Sequence, residues 1–534
     1  MPSHLDNTLS DIRHPVDGCH AAPGLALVLG LAAALALPTA LHAAEADPET
    51  VAAVEALAPD LEAYVEAGMK DFDVPGTAIG IVVGDELVYA RGFGVRARSG
   101  DSAVDPATIF QIGSTTKAFL ATTMAIAVDR DLFQWDDKVF DLLPDFQLLD
   151  PWVTREFRMF DLLAQRSGLP PYANDDLASF GYDEDAKIHS LRYVAPVSSF
   201  RTTFAYTNIT HLIAGRIVAS VEGAADWYAV LQKDILDPLG MDQTTYTADA
   251  IEAAPNHANG HRYHPDGVTE IPFDQLFPYD FGGAGAINSS VEQLVPWLRL
   301  LLNDGTFDGQ EIVSPRNLAA TWMARVALND AVTYANGWIN LATPNGTVTW
   351  HNGGTDGFGA FVGLDRARKI GVVVLTNQTN VGFPDAVGLW TFDRLQGNPD
   401  VDHVANMLER QVATYAAQDE TFATPDDAQP PPAFGPLVGE FASPVFGKAT
   451  LSQADDDLLL RLAETGAGIQ LSPWDGGVFT FRLAADGDFA AMAEILGPTP
   501  RGFAAFVTGA DGQPDTLRLT FGDGQAYDFS RDED

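Results

Sequence analysis

The strongest constraint on this chain is the stretch Ala118–Val128, eleven residues with no charge, glycine or proline. Such a stretch reads as a helix buried on every side. Immediately before it stand Phe110-Gln-Ile-Gly113 and Ser114-Thr-Thr-Lys117, so a lysine enters the core at the mouth of the helix. Positions i and i+3 share a helix face, which lets Lys117 reach the Ser114 hydroxyl. Desolvation disfavours the ammonium form, and a neutral amine beside a primary alcohol is a base beside a nucleophile. The pair points to serine acyl transfer. Ser114 as a simple helix cap is the bland alternative, and it leaves the lysine unexplained.

Composition narrows the setting. The 534 residues, 46% hydrophobic, suffice for one large core and a second smaller one. Acidic residues outnumber basic ones 73 to 31, a formal charge of −42. That balance argues against nucleic acid as a partner, because phosphate binding needs clustered Lys and Arg, and against docking on an anionic membrane. A highly soluble surface is the simplest reading. Near the start, Gly24–Leu37 is apolar and is followed by Pro38, Thr39 and Ala40. At about 14 residues it is short for a bilayer span and fits the core of a secretory signal. Residues 1–43 are therefore assigned to a signal peptide and the mature protein to the periplasm or exterior, with no stable membrane insertion. An uncleaved anchor is the alternative, and Asp6, Asp11 and Asp17 against a lone Arg13 leave a downstream start open. The single cysteine, Cys19, falls within this segment, which removes a thiol nucleophile, a disulfide framework and a cysteine-based zinc site.

Thr77–Val83, a Gly84-Asp85 turn and Glu86–Phe93 read as a β-hairpin. Far downstream, Thr347–Asn352, Gly359–Leu364 and Ile370–Asn377 read as three consecutive strands. Helical patterns lie between, including Thr210–Val221 and Ser290–Leu302, the latter capped by Ser290. Strands at both ends and helices in the middle predict an α+β domain over residues 44–398. Its antiparallel sheet is assembled from the two sequence termini, flanked by helices and a mainly helical subdomain. A helix from about Asp400 to Ala417 and the Pro-rich stretch Thr424–Ala433 form a connection over 399–433. Beyond it, short apolar stretches such as Leu458–Leu462, Gly477–Leu483, Phe503–Val507 and Leu517–Phe521 alternate with Asp/Gly turns. Residues 434–534 are thus a small all-β barrel.

Three short segments carry the remaining chemistry: Ser114–Lys117, Phe204-Ala-Tyr206-Thr-Asn208 before a helix, and Trp350-His351-Asn352-Gly353-Gly354 at a strand end. In this order and at these structural positions, they resemble the serine β-lactamase and penicillin-binding superfamily. The likeness is closest to the branch that holds class C β-lactamases, D-Ala-D-Ala carboxypeptidases, D-aminopeptidases and related esterases. It runs from about Val65 to Asn380 and takes in Asp161–Pro170 and Gly282–Ser290. The segment headed by Leu437-Val-Gly-Glu-Phe441 is similar to the accessory barrel that some members carry.

Acyl-transfer chemistry then assigns Ser114 as nucleophile. Tyr206, as phenolate or as a relay with Lys117, moves the proton to the leaving group and later activates water. The resemblance implies that the oxyanion is met by the backbone amides of Ser114 and Gly354, with Gly353 beside it. Asn208 is expected to hold the substrate amide or the lysine. His351 is expected to complete the proton network and neutralise charge. No metal or organic cofactor is called for. Most β-lactamases carry Lys-Thr-Gly where this chain has His351-Asn-Gly353, and a histidine is mostly neutral at pH 7. Esters, small peptide amides or D-amino-acid peptides are therefore the expected substrates. A true β-lactamase and a catalytically silent peptidoglycan or peptide binder are the alternatives. His351 also has a bland reading as a satisfied strand-end histidine. His257, His261 and His264 lie in a turn-rich stretch, which favours a loop over a zinc site, and Asp455-Asp-Asp457 reads as a solvated hairpin turn. The barrel is a candidate for shaping the site's mouth, for homodimer contacts or for binding wall polymer.

Overall fold

A computed structural model describes residues 46–509 and 514–532. The apolar segment Gly24–Leu37 and the expected signal peptide lie outside the described residues. Among the described residues, no helix is long and apolar enough to cross a membrane.

The hairpin expected near the start is β1 (Gly76–Val83) and β2 (Glu86–Gly94). Six further strands complete its sheet: β3 (Val326–Ala327), β4 (Val332–Tyr334), β5 (Ile339–Thr343), β6 (Gly346–Gly354), β7 (Gly359–Asp365) and β8 (Ile370–Thr376). The spatial order is β2-β1-β8-β7-β6-β5-β4-β3, antiparallel throughout. The two ends of the domain therefore meet at β1 and β8, where Ile79 faces Val374 and Ile81 faces Val372. Every residue of β1, β7 and β8 is buried, as expected for strands covered on both faces.

Helices supply that cover. On one face lie α1 (Pro48–Asp71), α2 (Phe383–Gln396) and α3 (His403–Phe422), tied by the stacked rings of Tyr64 and Trp390, 4.5 Å apart. α3 starts and ends later than the sequence pattern predicts. Asp402 caps it by accepting from the Ala405 amide, and no proline interrupts it before Pro425. On the other face lies the larger helical core, built around α4 (Thr116–Asp129), α5 (Ile209–Glu222) and α6 (Val291–Leu302). α4 is buried from Thr116 to Val128. Its Thr122 and Thr123 hydroxyls donate back to Ala118 O (2.9 Å) and Leu120 O (2.8 Å), which satisfies them without water.

After an extended connection, eight strands close into a barrel: β9 (Gly439–Ser443), β10 (Gly447–Ala454), β11 (Asp457–Leu462), β12 (Gly468–Asp475), β13 (Val478–Leu483), β14 (Gly502–Thr508), β15 (Pro514–Phe521) and β16 (Ala526–Arg531). Alternation drives it: Leu458, Leu460 and Leu462 point inward, while the residues between them are only partly buried. The barrel core also takes in Leu177, Phe180 and Tyr182 from the first domain. The Tyr182 hydroxyl donates to Phe446 O at 2.5 Å. Asp455 sits at positive φ in the β10–β11 turn. The three candidate zinc histidines have separate partners: His257 Nδ1 lies against Ala254 O, His261 Nδ1 against Asn377 O, and His264 Nδ1 accepts from the Asp266 amide. Among the described residues, no group of three metal-ligating side chains occurs.

Candidate active site

Three elements converge on Ser114. The first is a 3₁₀ turn, Gly113–Thr115, that leads into α4. Gly113 has φ of +51°, and a Cβ there would lie 2.6 Å from the Gly354 nitrogen. A Cβ at Gly353 would collide with the Ile112 carbonyl oxygen. Glycine at both positions therefore lets the end of β6 lie against the serine turn, which brings the Gly354 amide next to Ser114. Ser114 is half-buried and Gly354 is exposed, so both are open to a ligand.

The second element is the segment before α5. Gln165 clamps it, accepting from Ala205 N–H on its backbone oxygen (2.9 Å) and from Thr207 N–H on Oε1 (2.6 Å). The loop carrying Gln165 is fastened by Asp161, a wholly buried carboxylate that receives Arg166 at 3.1 Å and Arg201 at 2.6 Å. Asn208 occupies the N-cap position of α5 without capping it. Its side chain is used elsewhere: Oδ1 accepts from Lys117 Nζ at 2.6 Å, and Nδ2 donates to Asp175 Oδ2 at 2.6 Å.

The third element is the glycine-rich stretch 282–285, where Gly283 packs against Leu120 and Ala284 O accepts from Lys117 Nζ at 2.7 Å.

Lys117 thus sits at the centre with no solvent exposure. Its nitrogen lies 3.0 Å from Ser114 Oγ and 4.7 Å from the centre of the Tyr206 ring. Burial pushes its pKa well below the ordinary lysine value, with the charge of Asp175 opposing. In the neutral form an amine has two N–H bonds and one lone pair. The two short contacts are to carbonyl oxygens, which only accept, so both N–H bonds are committed to Asn208 and Ala284. The lone pair is left for the Ser114 hydroxyl, which then donates to it.

Tyr206 is buried, and its hydroxyl has no hydrogen-bond partner. Burial, then Tyr334 and Tyr172, raise its pKa well above that of a free phenol, with Ser114 opposing. The phenol form is therefore the resting one, which favours the relay over the phenolate. His351 departs from its expected charge-neutralising part. It is fully buried, and desolvation followed by the nearby Lys117 lowers its pKa to about 3. Its Nδ1–H donates to Asn352 O at 2.6 Å, and Nε2 accepts from the Tyr334 hydroxyl at 2.9 Å. A neutral imidazole with both nitrogens engaged braces the strand end and supplies no cation.

Other residues carry no signal in sequence. Asp175 lies 33 positions from Asn208 and touches it through folding alone. Behind β6, Asn380 Nδ2 donates to Gly353 O (2.9 Å) and to Asp385 Oδ2 (3.0 Å). Burial raises the Asp385 carboxyl to about 7.

The family profile described as Beta-lactamase matches residues 61–396. The unguisins hydrolase ungD' of Aspergillus campestris (strain IBT 28561) is 28% identical over 497 residues, 86% of this chain and 89% of that protein. The octameric penicillin-binding protein homologue from Pyrococcus abyssi superposes with a TM-score of 0.57 at 21% identity, covering 89% of this chain and 100% of that one. The class C beta lactamase from Rhodobacter sphaeroides gives a TM-score of 0.51 at 23% identity, covering 67% of this chain and 99% of that one.

Proposed function

The chain belongs to the Beta-lactamase family, and we propose that it is a serine hydrolase that cleaves esters or small peptide amides, D-amino-acid peptides among them, through a covalent acyl-enzyme. The observation that carries this reading is the Lys117 amine, shut from water, with its lone pair left for Ser114 at 3.0 Å.

In the acylation step, Ser114 Oγ bonds to the substrate carbonyl carbon and its proton passes to Lys117 Nζ. The carbonyl oxygen becomes an oxyanion, met by the amides of Ser114 and Gly354. Collapse breaks the bond to the leaving group, which takes the proton from Lys117 through the Tyr206 hydroxyl. In deacylation, a water oxygen bonds to the acyl carbon as its proton passes along the same route, the carbon–Oγ bond breaks, the carboxylic acid leaves, and the proton returns to Ser114 Oγ. Each group ends as it began, so no other reactant is needed.

The preference for esters and amides over β-lactams rests on His351. A neutral imidazole at the end of β6 offers no charge to a substrate carboxylate. The printed name of the Aspergillus campestris relative, a hydrolase, is in keeping with hydrolysis. A fluorophosphonate probe tests the acyl-enzyme: wild type is expected to label and Ser114→Ala is not. An unlabelled wild type would mean a silent binder instead. Turnover of p-nitrophenyl butyrate is expected to exceed that of nitrocefin, and nitrocefin winning by orders of magnitude would reverse the substrate assignment.

A further inference from the structure

The segment Pro171–Asp176 lies between the catalytic residues and the barrel, and both sides hold it. Tyr172 and Asn174 are at φ of +55° and +59°. L residues adopt that region at a cost, so neighbours have to enforce it. On the catalytic side, Tyr172 N–H donates to Tyr206 O at 2.6 Å, and Asp175 Oδ2 accepts from Asn208. On the barrel side, the turn between β15 and β16 presents Gln525. Its Oε1 accepts from Asn174 N–H at 3.3 Å, while Nε2 donates to Pro171 O at 3.3 Å and Tyr172 O at 3.4 Å. The Tyr527 hydroxyl donates to Asn174 Oδ1 at 2.8 Å, and Arg501 pairs with Asp176. Barrel contacts thus fall on Asn174 and Asp176, the two residues that flank Asp175.

Resting on the acyl-enzyme reading, we infer that the barrel is a working part of this active site: its β15–β16 turn clamps residues 171–176 and so holds Asp175 as a positioning residue for Asn208 and Lys117. Asp175 does not touch the reacting atoms. It fixes the Asn208 amide so that Oδ1 faces Lys117, and it places one carboxyl group within electrostatic reach of the base. The groups facing that carboxyl are Asn208 and Lys117 from the catalytic helices, Asp176 from its own segment, Lys187 from the helix Glu184–Ser190, Tyr206, and Tyr527 from the barrel. Its Oδ1 is buried without a partner, and burial raises its pKa to about 7.

The test is the rate of fluorophosphonate acylation of the full-length protein from pH 5 to 9. Asp175→Asn keeps an acceptor for Asn208 but loses a carboxyl group that ionises near pH 7 and, once charged, favours the Lys117 ammonium. The inflection that this ionisation puts into the rate profile near pH 7 is expected to disappear, a change that a merely structural role would not produce. Gln525→Ala, a half-buried side chain at the end of an exposed turn, is expected to slow acylation about fivefold, and Tyr527→Phe, which keeps the ring in the barrel core, somewhat less. In an Asp175→Ala background the Gln525→Ala change is expected to cost less than about twofold, because coupled residues are not additive. A rate profile of unchanged shape in Asp175→Asn, or effects that multiply in the double variant, would overturn the inference while leaving the acyl-enzyme intact. A wild type that does not label at Ser114 would remove the reading beneath it.

Discussion

Two lysines of this protein are wholly buried, and they grip opposite ends of one short segment. Lys117 donates to Ala284 O, and Lys187 lies 2.5 Å from the Asp280 carboxylate and 3.0 Å from Asp280 O. Each also has an aromatic ring below it, Tyr206 at 4.7 Å and Phe281 at 4.6 Å. Burial and ring contact are thus alike, and the direct partners differ. Lys187 touches a carboxylate, so its charge is matched within the pair. Lys117 touches only neutral oxygens, and its nearest acid, Asp175, stands behind the Asn208 amide. The difference teaches that one amide, interposed between a lysine and an acid, is what sets the structural ion pair apart from the proposed proton acceptor.

The sharpest way to break the comparison is to remove each amine in turn. Lys117→Met is expected to slow acylation about a thousandfold, since it deletes the proposed general base. Its effect on stability should be small, because the desolvation cost of the amine disappears while two carbonyl acceptors lose a donor. Lys187→Met should reverse the order. It leaves Asp280 buried beside an apolar side chain, and loss of one partner of a buried ion pair costs about 3–5 kcal/mol. Its acylation rate should fall far less than that of Lys117→Met. Thermal melts and probe labelling on both variants decide the matter. If Lys117→Met destabilised the fold as much as Lys187→Met, Lys117 would be an ion pair partner and the proposed base would be lost.

How much of this could be read from the sequence follows from how local each contact is. Ser114 and Lys117 are three residues apart where a 3₁₀ turn runs into α4, so spacing and the apolar stretch behind them were sufficient. The barrel strands were legible because alternation is a local property, whereas β1, β7 and β8, buried at every residue, were legible as apolar runs bounded by turns. Residues that meet only through folding had to be found otherwise. Tyr206 and Asn208 came from the resemblance, since a Tyr-x-Asn pattern alone says little. Asp175 was invisible: its partner lies 33 positions away, and nothing local ties the two together. Docking of the β15–β16 turn on residues 171–176 was equally hidden, because a polar glutamine in a hairpin turn looks like any solvated turn residue.

A third buried base extends the comparison. His351 has no carboxylate in contact, only the Tyr334 hydroxyl and the Asn352 carbonyl, and its pKa is lowered to about 3. In the unfolded chain an imidazole takes a proton near pH 6.5. Between those values the unfolded state binds a proton that the folded state refuses, so this residue makes stability fall as the pH drops from about 6.5 towards 3. His211, also buried and shifted downward, acts in the same direction. Asp175 and Asp385 act in the opposite one, because each stays protonated up to about 7 in the fold, and their contribution is lost as the pH rises from about 4 to 7. The net curve therefore hides the histidine, and a difference curve exposes it. Denaturant titrations of His351→Gln against wild type, from pH 4 to 8, are expected to agree in slope above pH 7. Below about 6.5 the variant should lose less stability, by at most about 1.4 kcal/mol per pH unit. Parallel curves across the whole range would mean that His351 takes up a proton in the fold as readily as in the unfolded chain, and the end of β6 would then carry the cation that the substrate assignment denies it.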